Sequence, residues 1–380
     1  GTFAGTAGKV FRQLTDADMK FGTIADGEGN ELELSNATFT TLLHDSVPEV
    51  RKSAFHQYYA QYECHANTLA ATLSGSNERD VYAAKVRCHP SAVEAALFAD
   101  NVPLAVYDQL IAAVRAHLPI VHRYYELRRR LLGLDEIHHY DCYVPLVPEL
   151  EQRHTWDEAI QEITTSLQPL GAEYCDQLEA GLRGRWCDRY PNVGKQSGAF
   201  SSGTYDSDPY ILMNFQEDVI EHVFTLAHEA GHSMHTRLSA DAQPFQYAGY
   251  TIFVAEVAST FNEQLLTRHL LSKAHSPKQR AAIISREIDA IRGTIIRQTM
   301  FAEFERMSHA SVESGEPLTL EKIRTLYREL LTAYFGSGFA IDEELEIESL
   351  RIPHFYRAFY VYKYATGLSA SIALSKRVTE

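Results

Sequence analysis

The sequence predicts a mainly α-helical fold with a small β-sheet or hairpin beside one apolar helix. Most of the chain carries apolar residues at helical spacing, whereas only short segments alternate like strands between turn residues. With 380 residues and 45% hydrophobic content, the chain can bury a large core and form two lobes around a cleft.

The elements are expected in a simple order. A turn at Asp26-Gly27 precedes the alternating segment 31–34, which favours a hairpin. Helices are expected over 48–73, 78–87, 104–132, 155–182, 251–274, 277–310, 319–335 and 354–376. Pro119 predicts a kink or break within its helix. The region 190–215 resembles a hairpin and leads into a further apolar helix.

A domain boundary is expected where two prolines mark an extended connection. Pro145 and Pro148 mark this connection, near residues 140–150, between stretches with helical spacing. We therefore expect a helical domain over residues 1–145 and a second domain over residues 146–380.

The most informative segment is 228–232, which reads His-Glu-Ala-Gly-His inside an expected helix. Residues i and i+4 share a helix face and lie about 6 Å apart along the axis, so His228 and His232 can bind one metal ion. This geometry suits zinc, and Glu229 is placed where a general base would meet a zinc-bound water. The alternative is a helix with ordinary surface or core histidines.

A third ligand is expected on the next helix. Glu256 and Glu263 lie seven residues apart on one face of an otherwise apolar segment, and a buried, unpaired Glu is costly. We expect Glu256 to be a ligand and Glu263 to accept the N–H of a ligand histidine. The alternative, that Glu263 is a solvated helix residue, stays open. His235 is a poorer candidate because it lies about 10 Å along the axis from His228.

A short apolar strand candidate, 210–215, precedes the metal helix and follows the small-residue loop 197–203. In zinc peptidases, an edge strand beside the metal helix commonly binds an extended peptide through main-chain hydrogen bonds. A purely structural hairpin is the equal alternative.

Several motifs together resemble one known family. The segments HEAGH, FVAEVASTFNE and HFYRAFYVYKYATG, with GKQSGAF, YILMNF and GLDEIHHYDCYVPLV, are similar to the thimet-oligopeptidase family of zinc metallopeptidases, most closely its oligoendopeptidase F branch. The similarity covers nearly the whole chain. It implies a multi-helix zinc-peptidase fold with a deep substrate cleft, in which residues 1–145 form one wall and residues 146–380 the catalytic domain.

The resemblance also assigns residues and an activity. It implies one Zn²⁺ per chain bound by His228, His232 and Glu256, with Glu229 as general acid/base, and hydrolysis of short peptides. In this mechanism a zinc-bound water attacks the scissile carbonyl, and Glu229 passes the proton to the leaving amine. In the C-terminal segment, Tyr362 is the expected oxyanion donor.

Other residues of that C-terminal segment, His354, Tyr356 and Tyr360, match positions that contact substrate in the family. A tyrosine hydroxyl is a suitable donor to an oxyanion. If the segment is a helix, however, these side chains cannot all face one cleft, so core packing stays the alternative for most of them.

Composition limits the remaining choices. The formal net charge of −15 argues against nucleic-acid binding, and no segment approaches 18 uninterrupted apolar residues, so a soluble protein without membrane contact is expected. Five scattered cysteines without a C-x-x-C pair indicate reduced thiols in a cytoplasmic protein. Family members are typically longer, so the chain is expected to be a fragment or processed form. The oligomeric state stays open.

Two rival functions remain. A non-catalytic zinc- or peptide-binding relative, or a truncated inactive form, would keep the fold without turnover. A di-iron carboxylate protein would use Glu-x-x-His pairs, of which the chain has three: Glu229/His232, Glu136/His139 and Glu151/His154. The last two lack an apolar helix face, which argues against this remote alternative.

Overall fold

A computed structural model of the chain describes residues 5–147, 153–196 and 198–380. The α-helices in these ranges are α1 (Thr6–Arg12), α2 (Asn36–Leu43), α3 (Pro48–Cys64), α4 (Ala66–Val86), α5 (Ala92–Phe98), α6 (Leu104–Leu131), α7 (Trp156–Ser166), α8 (Ala172–Arg183), α9 (Ile220–Ala242), α10 (Ile252–Lys273), α11 (Pro277–Ile291), α12 (Arg297–Glu313), α13 (Leu320–Phe335) and α14 (Tyr362–Thr379). The mainly helical fold with small sheets is confirmed.

Two small sheets accompany the helices. Strands β1 (Thr23–Ala25) and β2 (Glu31–Glu33) form the predicted antiparallel hairpin. A three-stranded sheet contains β3 (Cys187–Asp188), β4 (Phe200–Ser202) and β5 (Tyr210–Leu212), in the order β3-β5-β4. Strand β5 pairs parallel to β3 and antiparallel to β4, which leaves β4 at an edge.

The chain divides into two compact units. The first unit comprises Gly1–Leu146 and Ile296–Tyr362. In it, α12 packs on α4 and α6, and α13 packs on α6 and on a 3₁₀ stretch at Glu343–Arg351. This stretch carries the fully buried Glu348, which accepts hydrogen bonds from Arg297 and Tyr327. Burial alone would raise the pKa of Glu348, but the charge of Arg297 and its neighbours lowers it well below its usual range.

The second unit comprises Val147–Ile295 and Lys363–Glu380. Its core contains apolar side chains from α7, α8, α9 and α10, with the three-stranded sheet packed against α9. Helix α9 begins after Val219 and carries Glu221 in its first turn, where the helix dipole favours a carboxylate. The buried side chains of α9 include Val223, Leu226 and Met234, which lie at helical spacing.

The domain organisation differs from the sequence expectation in one respect. The division falls between Leu146 and Val147, close to the expected boundary, whereas Pro148 lies outside the described residues. The expected domain over 146–380 is split, because residues 296–362 group with the first unit. The physical reason is the packing of α12 and α13 on α4 and α6.

Helix α6 continues through Pro119, so the expected break is absent there. Proline removes one backbone hydrogen bond, but side chains on both sides of it, including Leu118 and Tyr125, are buried where α6 packs on α12 and α13. By length and composition alone, α6 is the one helix among the described residues that could cross a membrane.

The predicted helix over 354–376 is wrong in its first part. A 3₁₀ turn at Pro353–Tyr356 is followed by non-helical backbone, and α14 begins at Tyr362. Phe359 has φ +55°, and its N–H donates to the carboxylate of buried Glu305 at 2.8 Å. This left-handed residue and its buried acceptor interrupt the helix.

Candidate metal centre

Helices α9 and α10 bring three metal-ligand side chains together. The Nε2 atoms of His228 and His232 lie 3.6 and 3.9 Å from Oε2 of Glu256. One donor atom from each residue lies within 4.8 Å of the other two. Tetrahedral zinc with bonds of about 2.1 Å requires donors about 3.4 Å apart, so these three side chains fit one zinc ion with small adjustments.

Close helix packing produces this arrangement. A Cβ added to Gly231 would lie 2.6 Å from Cα of Ser259, so the backbones of α9 and α10 meet at a position that only glycine allows. Helix α14 also approaches at a glycine, because a Cβ on Gly367 would lie 3.1 Å from Cβ of Glu256. Ser371 on α14 donates to the Val257 carbonyl at 2.9 Å. These small residues allow the close helix packing that positions Glu256 beside α9.

Glu263 is hydrogen-bonded to Nδ1 of His228, the ring nitrogen that does not face Glu256. Its Oε1 lies 2.7 Å from Nδ1 of His228, and its Oε2 accepts from Arg286 at 3.3 Å. Burial would raise the pKa of Glu263, but the hydrogen bonds and charges of His228 and Arg286 lower it. With Nδ1 donating to this carboxylate, Nε2 of His228 keeps its lone pair for a metal.

The two histidines differ in their proton affinity. Burial would lower the pKa of His228, but Glu263, Glu229 and Glu256 together raise it. The pKa of His232 is lowered to about 4 by burial and by the charges of His228 and His235. His232 is therefore neutral at pH 7, which is the form that binds a metal.

Glu229 lies beside these ligands with only 7% of its surface exposed. It accepts a hydrogen bond from the backbone N–H of Ser201 on the edge strand β4, and burial raises its pKa despite the opposing charge of His228. Ser201 also contacts Ser233 on α9, with the two hydroxyl oxygens 2.7 Å apart. Ser201 thus joins the edge strand to the helix that carries the carboxylate.

His235 lies outside the three-ligand group. Its ring stacks on Tyr250 at 3.7 Å between centroids, and the Tyr250 hydroxyl lies 2.7 Å from that of Thr236. Among the described residues, His228, His232 and Glu256 form the one group of three potential ligands.

The di-iron candidates differ from this site in their surroundings. His139 is buried in the first unit, where its Nε2 lies 3.3 Å from the Tyr143 hydroxyl and 3.8 Å from Glu348. It belongs to a 3₁₀ turn rather than to an α-helix. Glu151 lies outside the described residues.

The predicted substrate residues of the C-terminal segment lie in the first unit and are described within it. Tyr362 is fully buried, with its ring 5.1 Å from that of Tyr107. The rings of His354 and Tyr360 stack at 5.9 Å and are partly exposed.

Tyr356, the fourth of these residues, contacts Thr72 and Phe11. Its hydroxyl lies 2.7 Å from that of Thr72, and its ring stacks on Phe11 at 4.4 Å. Burial raises the pKa of Tyr356 to about 12.

Comparison with known proteins identifies the family. Residues 41–380 match the sequence model of Peptidase family M3. The chain belongs to this family. Its relatives include oligopeptidase PepF of Bacillus subtilis, 46% identical over 98% of this chain, and an oligoendopeptidase F homolog of Borreliella burgdorferi, 41% identical over 98%.

Solved structures of similar proteins agree with this assignment. A putative peptidase from Chlamydophila abortus has a TM-score of 0.91 and 39% identity, and oligoendopeptidase-F from Enterococcus faecium has 0.80 and 35%; both cover the whole chain. The chain spans 56% and 62% of the length of the two relatives above, and 63% and 62% of these solved chains. An M3 peptidase is a metallopeptidase, so the family implies a catalytic metal.

Three contacts of the metal centre were not predicted from the sequence. Arg286 comes from α11, and Ser201 reaches Glu229 from β4. Ser233 lies directly after His232, and the sequence alone does not distinguish it from the other small residues of the helix. No local pattern indicates these contacts, because each depends on how separate elements pack.

Proposed function

We propose that this chain carries the active site of a zinc metallo-endopeptidase that hydrolyses short peptides. One Zn²⁺ per chain would be bound by His228, His232 and Glu256. The observation that carries the proposal is the donor geometry: three ligand atoms within 4.8 Å of one another, with Glu263 hydrogen-bonded to the non-ligating nitrogen of His228.

When bound, zinc would polarise the scissile carbonyl and lower the pKa of water at the site. Glu229 accepts a proton from the attacking water as the new C–O bond forms. The C–N bond then breaks, and Glu229 passes that proton to the leaving amine. The Ser201 N–H orients the Glu229 carboxylate for both transfers.

Substrate contacts are proposed for the edge strand and the C-terminal segment. An extended peptide would add to the outer edge of β4, a strand that packs against α9. Tyr362 is the proposed oxyanion donor, and His354, Tyr356 and Tyr360 are proposed substrate contacts, on their match to the family motif. The hydroxyl of Tyr356 lies 2.7 Å from that of Thr72, so a substrate contact of Tyr356 would compete with this hydrogen bond.

The substrate class and the compartment follow from weaker observations. Relatives named oligopeptidase or oligoendopeptidase support short peptides as substrates. All five cysteines are free thiols, which supports a reducing compartment, the cytoplasm. The net charge of −15 gives no support for a nucleic-acid partner.

The test is cleavage of a peptide library, read by mass spectrometry, with and without a zinc chelator. We expect chelator-sensitive internal cuts in the wild type. Glu229→Gln should bind peptide and zinc while turnover falls by a factor of about 10³ or more. Asp241→Asn, an exposed change on the same helix, should leave turnover unchanged. Peptide binding without any cleavage by the wild type would instead indicate the non-catalytic relative.

A further inference from the structure

Arg286 on α11 contacts two carboxylates and one aromatic ring close to the metal ligands. Its Nε donates to Glu221 at 2.7 Å, and its terminal nitrogen donates to Glu263 at 3.3 Å. The guanidinium carbon lies 3.3 Å from the ring centroid of Phe224, one helical turn before His228. The guanidinium group therefore contacts three side chains, and the Arg286 side chain is 20% exposed.

The two oxygens of Glu263 have different partners. Oε1 faces Nδ1 of His228 at 2.7 Å, whereas Oε2 faces Arg286. The terminal torsion of a glutamate is soft, so one hydrogen bond alone leaves the carboxylate free to rotate. The second bond, from Arg286, fixes the plane of the carboxylate and thereby the direction of the His228 ring.

We propose that Arg286 is a positioning residue for the metal site. It holds Glu263 in the orientation that accepts Nδ1–H of His228, which directs Nε2 of His228 toward Glu256 and the metal. This inference rests on the proposed function, because it requires that His228 binds zinc. Arginine suits the position since its planar fork presents separate N–H groups in fixed directions to Glu221 and Glu263, whereas the ammonium of lysine is a single, freely rotating point charge.

A purely structural role is the competing explanation. Arg286 also joins α11 to α9 and α10, so its loss would lower the stability of the fold in either case. The two explanations differ in the zinc affinity of the folded protein. Only the positioning role makes that affinity depend on Arg286 through Glu263.

The experiment is a double-mutant cycle on zinc affinity. The zinc dissociation constant is measured by competition with a chromophoric chelator for the wild type, Arg286→Ala, Glu263→Ala and the double variant. We expect Arg286→Ala to weaken zinc binding about tenfold, near the lower end for outer partners of metal ligands. In the Glu263→Ala background, the same change should alter it by less than about twofold.

Three further variants complete the design. Arg280→Ala removes an exposed arginine from the same helix and should leave zinc affinity unchanged. Arg286→Met keeps an apolar stem over Phe224 and carries the test if Arg286→Ala does not fold. Arg286→Lys should recover only part of the affinity. The visible spectrum of the cobalt-substituted protein should change in Arg286→Met and not in Arg280→Ala.

Two results would overturn the inference: wild-type zinc affinity in folded Arg286→Met, or equal weakening by Arg286→Ala with and without Glu263. A wild-type protein that binds no zinc would instead refute the proposed function. The two failures are therefore distinguishable.

Discussion

Gly231→Ala should disturb the metal centre through the packing of two helices. The added Cβ would lie 2.6 Å from Cα of Ser259 and 2.7 Å from the carbonyl oxygen of Ala258. Both neighbours are backbone atoms of α10, so no side chain can rotate away. Because ordinary carbon contacts are about 3.5 to 4.0 Å, α9 and α10 must separate by about 1 Å at this point.

This displacement determines the expected magnitudes. Replacing glycine by alanine inside a helix stabilises it by about 1 kcal/mol, whereas overpacking costs about 1–3 kcal/mol, so the net loss of stability is about 0–2 kcal/mol. The metal site is affected as well. His232 Nε2 and Glu256 Oε2 lie 3.9 Å apart, and this distance would increase. It would then differ more from the spacing of about 3.4 Å that tetrahedral zinc requires. We expect zinc affinity to fall about tenfold or more, and kcat/KM to fall about 100-fold.

The assay compares zinc affinity, thermal unfolding and peptide cleavage for the wild type, Gly231→Ala and Gly249→Ala. Gly249 lies in the loop between the same two helices, and a Cβ there would meet no atom within 4 Å. We expect Gly249→Ala to match the wild type in zinc affinity. If Gly231→Ala also matched the wild type, the close approach of α9 and α10 would not govern the metal site.

Three further predictions concern individual hydrogen bonds. Ser233→Ala removes the hydroxyl contact with Ser201, so kcat should fall about 2- to 10-fold while zinc content stays constant; a loss of zinc would contradict this role. Tyr362→Phe should lower kcat about 100-fold with unchanged zinc affinity, and an unaltered kcat would assign this hydroxyl to core packing. Because the pKa of Glu348 is lowered in the folded state, its contribution to stability is present above its unfolded pKa of about 4.3 and is lost as the pH falls below that value. Urea unfolding from pH 6 to 3 should therefore show a weaker pH dependence in Glu348→Gln, and an identical slope would refute the assignment.

Helical periodicity was sufficient to locate the main elements of the candidate site. Apolar residues at helical spacing predicted α9 and α10, and the i,i+4 relation of His228 and His232 depends only on helix geometry. The seven-residue spacing of Glu256 and Glu263 likewise predicted two carboxylates on one face of α10. The structure places the first beside both histidine Nε2 atoms and the second on His228 Nδ1.

Tertiary contacts explain what the sequence did not predict. Arg286 lies 23 residues from Glu263 in the chain, on a different helix, so no periodic pattern connects them. The segment before α14 has aromatic spacing that suggests a helix, but the buried carboxylate of Glu305 binds the N–H of Phe359 and stabilises a left-handed residue. Packing on both sides of Pro119 likewise sustains a helix that the sequence alone predicts to bend or break.

Metal content tests the central claim most directly. Elemental analysis of the purified wild type should give one zinc per chain, and His235→Ala should retain it, since His235 stacks on Tyr250 outside the ligand group. Glu256→Ala should lose zinc. A wild type without stoichiometric metal, or a Glu256→Ala variant with full zinc content, would contradict the proposed site.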